Sequence, residues 1–208
     1  MNVAAWALLG YAAGSFPSAW LVALAAGKRS VLDKVRRNVG EADAHVLLQE
    51  AGGRAAYAAA VLDVLKGFLP VLAAARVATP YGIAACAGGA VAGHCWPPIL
   101  GRYAGRGLAA GAGAFLGFLP VEMAVAGAAR ILGSLVRAGG LSSTLGYVSI
   151  PVVAALRGQP APYVVAAVAI NVLIFVRRLE GLSKDVESGI SRSRAVLRRT
   201  LLDASSAG

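Results

Sequence analysis

The chain has 208 residues, 58% of them hydrophobic and 14% charged, with a formal net charge of +10. Soluble domains carry roughly a quarter charged residues, and a soluble protein this small has too little interior for so much apolar surface, so an ordinary water-soluble fold is excluded. The basic residues lie between and after apolar stretches, not on a polar face with interleaved aromatics, which argues against nucleic acid and for membrane orientation and lipid headgroup contact.

In chain order, Val3 to Gly27 is free of Asp, Glu, Lys and Arg and matches the roughly 17–25 residues of a membrane-crossing helix. It lacks a basic leading segment and is longer than a signal-peptide core, so it reads as a retained first span over about residues 3–26. Lys28 to Arg37 then holds five basic residues, which by the positive-inside bias puts this loop in the cytoplasm and the N-terminus outside. A second span covers about 55–76 and contains Asp63 and Lys66; an outer turn comes next at Thr79-Pro80, and a third span at about 81–100. Arg102 and Arg106 mark another inner loop. The apolar stretch Leu108 to Val136 is interrupted by Pro120, Glu122 and Arg130 and reads as two short helices, about 108–119 and 122–136, hinged outside. Sixth and seventh spans at about 144–156 and 163–176 flank an outer turn from Arg157 to Pro162. The expected fold is therefore an all-α integral membrane bundle of about seven short transmembrane helices with a cytoplasmic C-terminus. Five crossings with a re-entrant middle pair are the alternative.

After residue 182 the chain is polar and basic, giving a division into a membrane domain, 1–182, and a cytoplasmic tail, 183–208. Arg192, Arg194, Arg198 and Arg199 alternate with Val196, Leu197, Leu201 and Leu202 at a spacing that suits a short interfacial helix; a solvated tail fits the same composition. Cys86 and Cys95 lie in an apolar span and read as packing residues.

Polar groups inside membrane spans are costly and each needs a reason. Gly14-Ser15-Phe16-Pro17 interrupts the first span; Pro17 removes a backbone donor, kinks the helix, and frees carbonyls around Ser15. Asp63 and Lys66 stand three apart on one helical face, where they neutralise each other, and Lys66 can also present a cation to phosphate. Gly93-His94-Cys95-Trp96-Pro97 is followed by Gly105-Arg106-Gly107 at the start of a helix. Glycines around an arginine let backbone amides and a guanidinium approach an anion, and the helix N-terminus favours the same charge. No metal-ligand spacing, Walker loop or convincing Ser-His-Asp set occurs. A phosphate pocket at the cytoplasmic face is the chemical theme these residues support.

In this order and spacing the motifs resemble those of the bacterial acyl-phosphate-dependent glycerol-3-phosphate acyltransferases (PlsY type) over roughly residues 8–182. Gly-Ser-x-Pro is matched by Gly14, Ser15 and Pro17; Asp-Val-Leu-Lys-Gly by Asp63 to Gly67; Gly-His-x-x-Pro by Gly93, His94 and Pro97; and Gly-Gly-Lys-Gly by Ala104 to Gly107, with Arg106 for the lysine. The resemblance implies a multi-pass protein of the bacterial plasma membrane, with seven helices and three cytoplasmic-side motifs around one pocket. Acyl phosphate and glycerol 3-phosphate enter it, lysophosphatidic acid and phosphate leave, and no metal, cofactor or acyl-enzyme takes part. It implies phosphate contacts for Ser15 and Arg106, a wall role for His94, and substrate contacts for Lys66, Gly105 and Gly107. Asn38 and Gly40 are what remains of a Gly-Ser-Gly-Asn-x-Gly loop, in which Arg36 and Arg37 now stand. Two later elements also depart: Tyr-x-Ser-Leu-Gly is approximated by Leu141 to Leu145, and Arg-His-x-x-Asn-Ile reads Arg177 to Leu182, without its His and Asn. Two functions are expected from this: an acyltransferase with a remodelled site, or a catalytically weak paralogue that binds anionic lipid or a membrane partner. A transporter-like role is a third. The sequence leaves the oligomeric state open.

Overall fold

The computed structural model describes residues 1–27, 47–48, 51–98, 105–180, 182–187 and 189–201, and among them every regular element is helical. The chain divides into two compact units, Met1–Phe118 and Leu119–Gly208.

The first unit opens with α1 (Val3–Gly14) and α2 (Ser18–Ala25), followed by α3 (Gly53–Val77), α4 (Pro80–Cys95) and α5 (Leu108–Phe118). Helix starts are set by local chemistry. The Asn2 side chain accepts from the Ala5 amide at 2.8 Å, and Thr79 caps α4, with Pro80 in the first turn where its missing N–H costs nothing. The expected kink in the first span is a complete break: α1 ends at Gly14, and the helix resumes only after Pro17. The third span also differs, ending at Cys95 rather than near residue 100, because Trp96 leaves helical geometry ahead of Pro97-Pro98.

Lipid supplies no hydrophobic drive between helices, so close packing of small residues brings them together. A Cβ on Gly10 or Gly14 would enter the backbone of Cys86 or Ala90, and one on Gly89 or Gly93 would enter that of Ala7 or Tyr11. The two helices thus present reciprocal glycine pairs four residues apart, and the pairing order makes α1 and α4 parallel. Gly67 meets Ala110 while Gly113 meets Val64 and Gly117 meets Val71, so α3 and α5 are parallel too. At the base of the unit α2 packs on α3 through Ala23, Ala56 and Ala59, with Leu47 buried among them.

The second unit consists of α6 (Pro120–Leu135), α7 (Gly139–Leu156), α8 (Ala161–Leu179), α9 (Leu182–Glu187) and α10 (Arg192–Leu201). Gly133 packs on Ser142 and Gly146 on Ala126, an antiparallel hairpin whose turn holds Arg137 at φ 58°. Glu122, fully buried at the start of α6, accepts from Arg157 Nη1 at 2.8 Å and from Gln159 Nε2 at 3.2 Å, which ties α6 to the end of α7. Midway along α8, Asn171 donates to the Tyr147 carbonyl at 2.8 Å.

Val3–Ala25, Gly53–Val77, Gly139–Leu156 and Ala161–Leu179 are long and apolar enough to cross a membrane. The 11 residues of α5 extend about 16 Å, roughly half of the hydrocarbon thickness. Outward side chains such as Leu8, Leu69, Leu156, Val165 and Val172 are exposed, a surface matched to lipid rather than water.

Candidate functional site

The first unit gathers the polar motifs at one place. With Pro17 closing the break, α1 cannot continue, and the Phe16 carbonyl has no donor one helical turn on. A tight turn gives it the Ser18 amide at 3.0 Å and the Ser18 hydroxyl at 3.4 Å, and Lys66 adds a charged donor, with Nζ donating to Phe16 O at 2.9 Å. The same ammonium lies 2.7 Å from Asp63 Oδ1. Asp63, buried on the inner face of α3, also faces His94 Nδ1 at 3.4 Å. His94 Nδ1 makes no aligned hydrogen bond among the described residues, so the contact is a close approach that is ionic only with a protonated ring.

His94 carries the contact onward. A Cβ on Gly105 would collide with its Nε2 edge, so the rim of the imidazole abuts the glycine that precedes Arg106. Gly105 and Gly107 are buried, with Arg106 half-buried between them. Gly107 has φ +90°, a left-handed conformation that a side chain would strain, and its carbonyl accepts from the Gly111 amide at 2.7 Å to open α5. The glycines flanking Arg106 thus do separate work, one against a ring and one at a turn.

Ser15 lies at the C-terminus of α1, and its hydroxyl donates to the Tyr11 carbonyl at 2.7 Å. Its backbone N is one of the atoms that a Cβ on Gly93 would crowd, so Ser15 and His94 are brought close by the residue that precedes His94. Tyr11, which belongs to none of the sequence motifs, fastens this junction by donating its hydroxyl to the Trp96 carbonyl at 2.6 Å. A lone tyrosine four residues before the serine of an apolar helix was the available signal. Gly14, Gly67 and Gly93, each adjacent to a site residue, are all points of backbone approach. Of the residues expected to form the site, Lys66, His94 and Gly105 share one contact chain through Asp63; Ser15 adjoins it beside Phe16 and Gly93, and Arg106 and Gly107 follow Gly105 in sequence. Asn38 and Gly40, with Arg36 and Arg37, lie outside the described residues.

In the second unit the two departing elements meet each other. Arg178 donates from Nη1 to Thr144 Oγ1 at 2.9 Å and to the Thr200 carbonyl at 2.9 Å. Its guanidinium also sits 5.7 Å from the Phe175 ring centroid. Arg177, buried in the last turn of α8, pairs with Glu180.

A profile of the family described as glycerol-3-phosphate acyltransferase matches residues 4–186. A protein named glycerol-3-phosphate acyltransferase from Rubrobacter xylanophilus is 36% identical over 176 residues, 83% of this chain and 86% of that protein. One of the same name from Synechococcus sp. (strain CC9902) is 32% identical over 179 residues, 85% and 88% of the two chains. Two crystal structures of PlsY (YgiH), an integral membrane glycerol 3-phosphate acyltransferase, share the fold. The glycerol 3-phosphate form gives a TM-score of 0.75 at 23% identity, covering 91% of this chain and 94% of that one. The lysophosphatidic acid form gives 0.76 at 21% identity, covering 95% and 99%.

Proposed function

This chain belongs to the glycerol-3-phosphate acyltransferase family, and from that premise we propose that it is a membrane enzyme of phospholipid synthesis that acylates glycerol 3-phosphate with acyl phosphate as donor. The observation that carries the assignment of residues is the unbroken contact chain from the α1 break through Lys66, Asp63 and His94 to Gly105.

Acyl transfer requires a glycerol hydroxyl oxygen to bond the acyl carbon while the bond from that carbon to the phosphate oxygen breaks. Phosphate leaves with the electron pair, and the hydroxyl proton is released. Both reactants are anionic, so bringing them together is itself unfavourable, and positioned cations beside a backbone nest supply most of what is needed. Arg106, between two buried glycines, is the group suited to a phosphate, with the Gly105 and Gly107 amides beside it. Lys66 has three donors, of which Asp63 and Phe16 O take two among the described residues, and the third suits a phosphate oxygen. The Ser15 hydroxyl, while donating to Tyr11 O, keeps its lone pairs and can turn to a ligand. His94 works as the wall that holds Gly105. Substrate contacts for Asn38 and Gly40 rest on the family pattern alone, in a loop whose sequence has Arg36 and Arg37 where that pattern has small residues. The setting is the bacterial plasma membrane.

Protein purified in detergent, given acyl phosphate and radiolabelled glycerol 3-phosphate, should form lysophosphatidic acid with one phosphate released per product. Arg106→Ala and Ser15→Ala should each lower turnover at least tenfold. Wild-type protein that turns over with an acyl thioester but not with acyl phosphate would overturn the donor. Full activity in both variants would overturn the site.

A further inference from the structure

The family match ends at residue 186, and beyond it the chain forms an ordered helix, α10, fastened to the end of a membrane span at several points. Arg178, in the last turn of α8, donates to the Thr200 carbonyl at 2.9 Å, and Thr144 near the start of α7 donates to that same carbonyl at 3.1 Å. Arg199 reaches back with Nη1 to the Arg178 carbonyl at 3.3 Å and with Nη2 to Asp185 Oδ1 at 2.9 Å. Ala195 is fully buried beneath the helix. Since Arg178 closes an apolar span and Thr144 lies near the opening of another, whatever they bind sits at the depth where hydrocarbon gives way to headgroups.

We propose that the outward face of α10 is a contact site for anionic phospholipid headgroups. Arg194, exposed, and Arg198, half-buried at its edge, stand four apart on that face with exposed Leu197 between them, and Arg192 is exposed at the helix start. Guanidiniums matched to phosphate oxygens, with a leucine to enter the upper acyl region, are the pattern of an interfacial helix. The arginine on the opposite face is already committed to Asp185, so the docked side and the lipid side are chemically distinct. Anchoring adds what a solvated basic tail lacks: the charges are held at one depth. Each arginine near an anionic surface contributes about fivefold to partitioning.

The test uses the full chain in lipid nanodiscs of phosphatidylcholine alone or with a third phosphatidylglycerol, read by amide hydrogen exchange, which does not depend on acyl transfer. Exchange within residues 192–200 should slow on the order of tenfold in the anionic discs, and Arg192→Gln/Arg194→Gln/Arg198→Gln should abolish the difference. Equal exchange of wild-type protein in both discs would overturn the proposal, a comparison that needs no variant to fold. So would a difference that persists in the triple variant. Equal protection by inorganic phosphate in phosphatidylcholine discs would reassign the face to free anions.

Discussion

Asp63 is buried between two cationic or potentially cationic neighbours, so its removal acts on both. Asp63→Asn leaves a largely buried ammonium without its counter-charge, and the expected cost is about 3 kcal/mol of stability, read by thermal unfolding in detergent. Turnover should fall with it. Removing both charges, as in Asp63→Asn/Lys66→Met, should recover most of the stability, because a buried ion pair exchanged for neutral groups is often close to neutral overall. Activity should not recover, since the Phe16 carbonyl loses its charged donor and the proposed phosphate contact loses its lysine. At this scale the sequence showed half of the cluster. Spacing alone put Asp63 and Lys66 on one face, and Pro17 alone implied a carbonyl short of a donor. Nothing in spacing joined them to His94, which lies on another helix with no shared period. The loop bearing Asn38 departs from its family pattern, and spacing does not tell whether Arg36 and Arg37 fill the place of the lost glycines.

Among elements, the strongest constraint is the pair of glycine ridges between α1 and α4. Gly14→Ala would drive a methyl group into the Ala90 carbonyl and push apart the helices that carry Ser15 and His94. The expected loss is about 1–3 kcal/mol, with a matching drop in monodisperse protein on size-exclusion chromatography. Arg137 offers the opposite case: at φ 58° it occupies a conformation that costs a non-glycine residue about 1 kcal/mol, so Arg137→Gly should raise the thermal midpoint slightly with no loss of turnover. Element positions were largely legible from charge-free runs and from Thr79-Pro80 and Leu119-Pro120. α10 was not. A mixture of arginine and leucine describes a docked helix and a solvated tail equally well, and only the pairing of Arg199 with Asp185 and of Arg178 with Thr200 distinguishes them.

For the whole molecule, the basic loop between the first two spans makes the stronger claim on orientation. The positive-inside bias predicts residue 2 outside and residue 205 in the cytoplasm. Single cysteines placed there should be labelled by an impermeant maleimide in intact cells only at position 2. Cys86 and Cys95 are buried and leave the assay clean. Labelling at both positions would require an even number of crossings. The bond from Lys66 to the Phe16 carbonyl spans 50 residues of chain, and during synthesis the first segment enters the bilayer well before its lysine exists. The nascent α1–α2 break therefore has only Ser18 to hold the Phe16 carbonyl until a later helix brings the charged donor. The corner that joins Phe16, Lys66 and Asp63 thus closes only once the second span is in place, and a nascent chain that stops short of residue 66 lacks its charge.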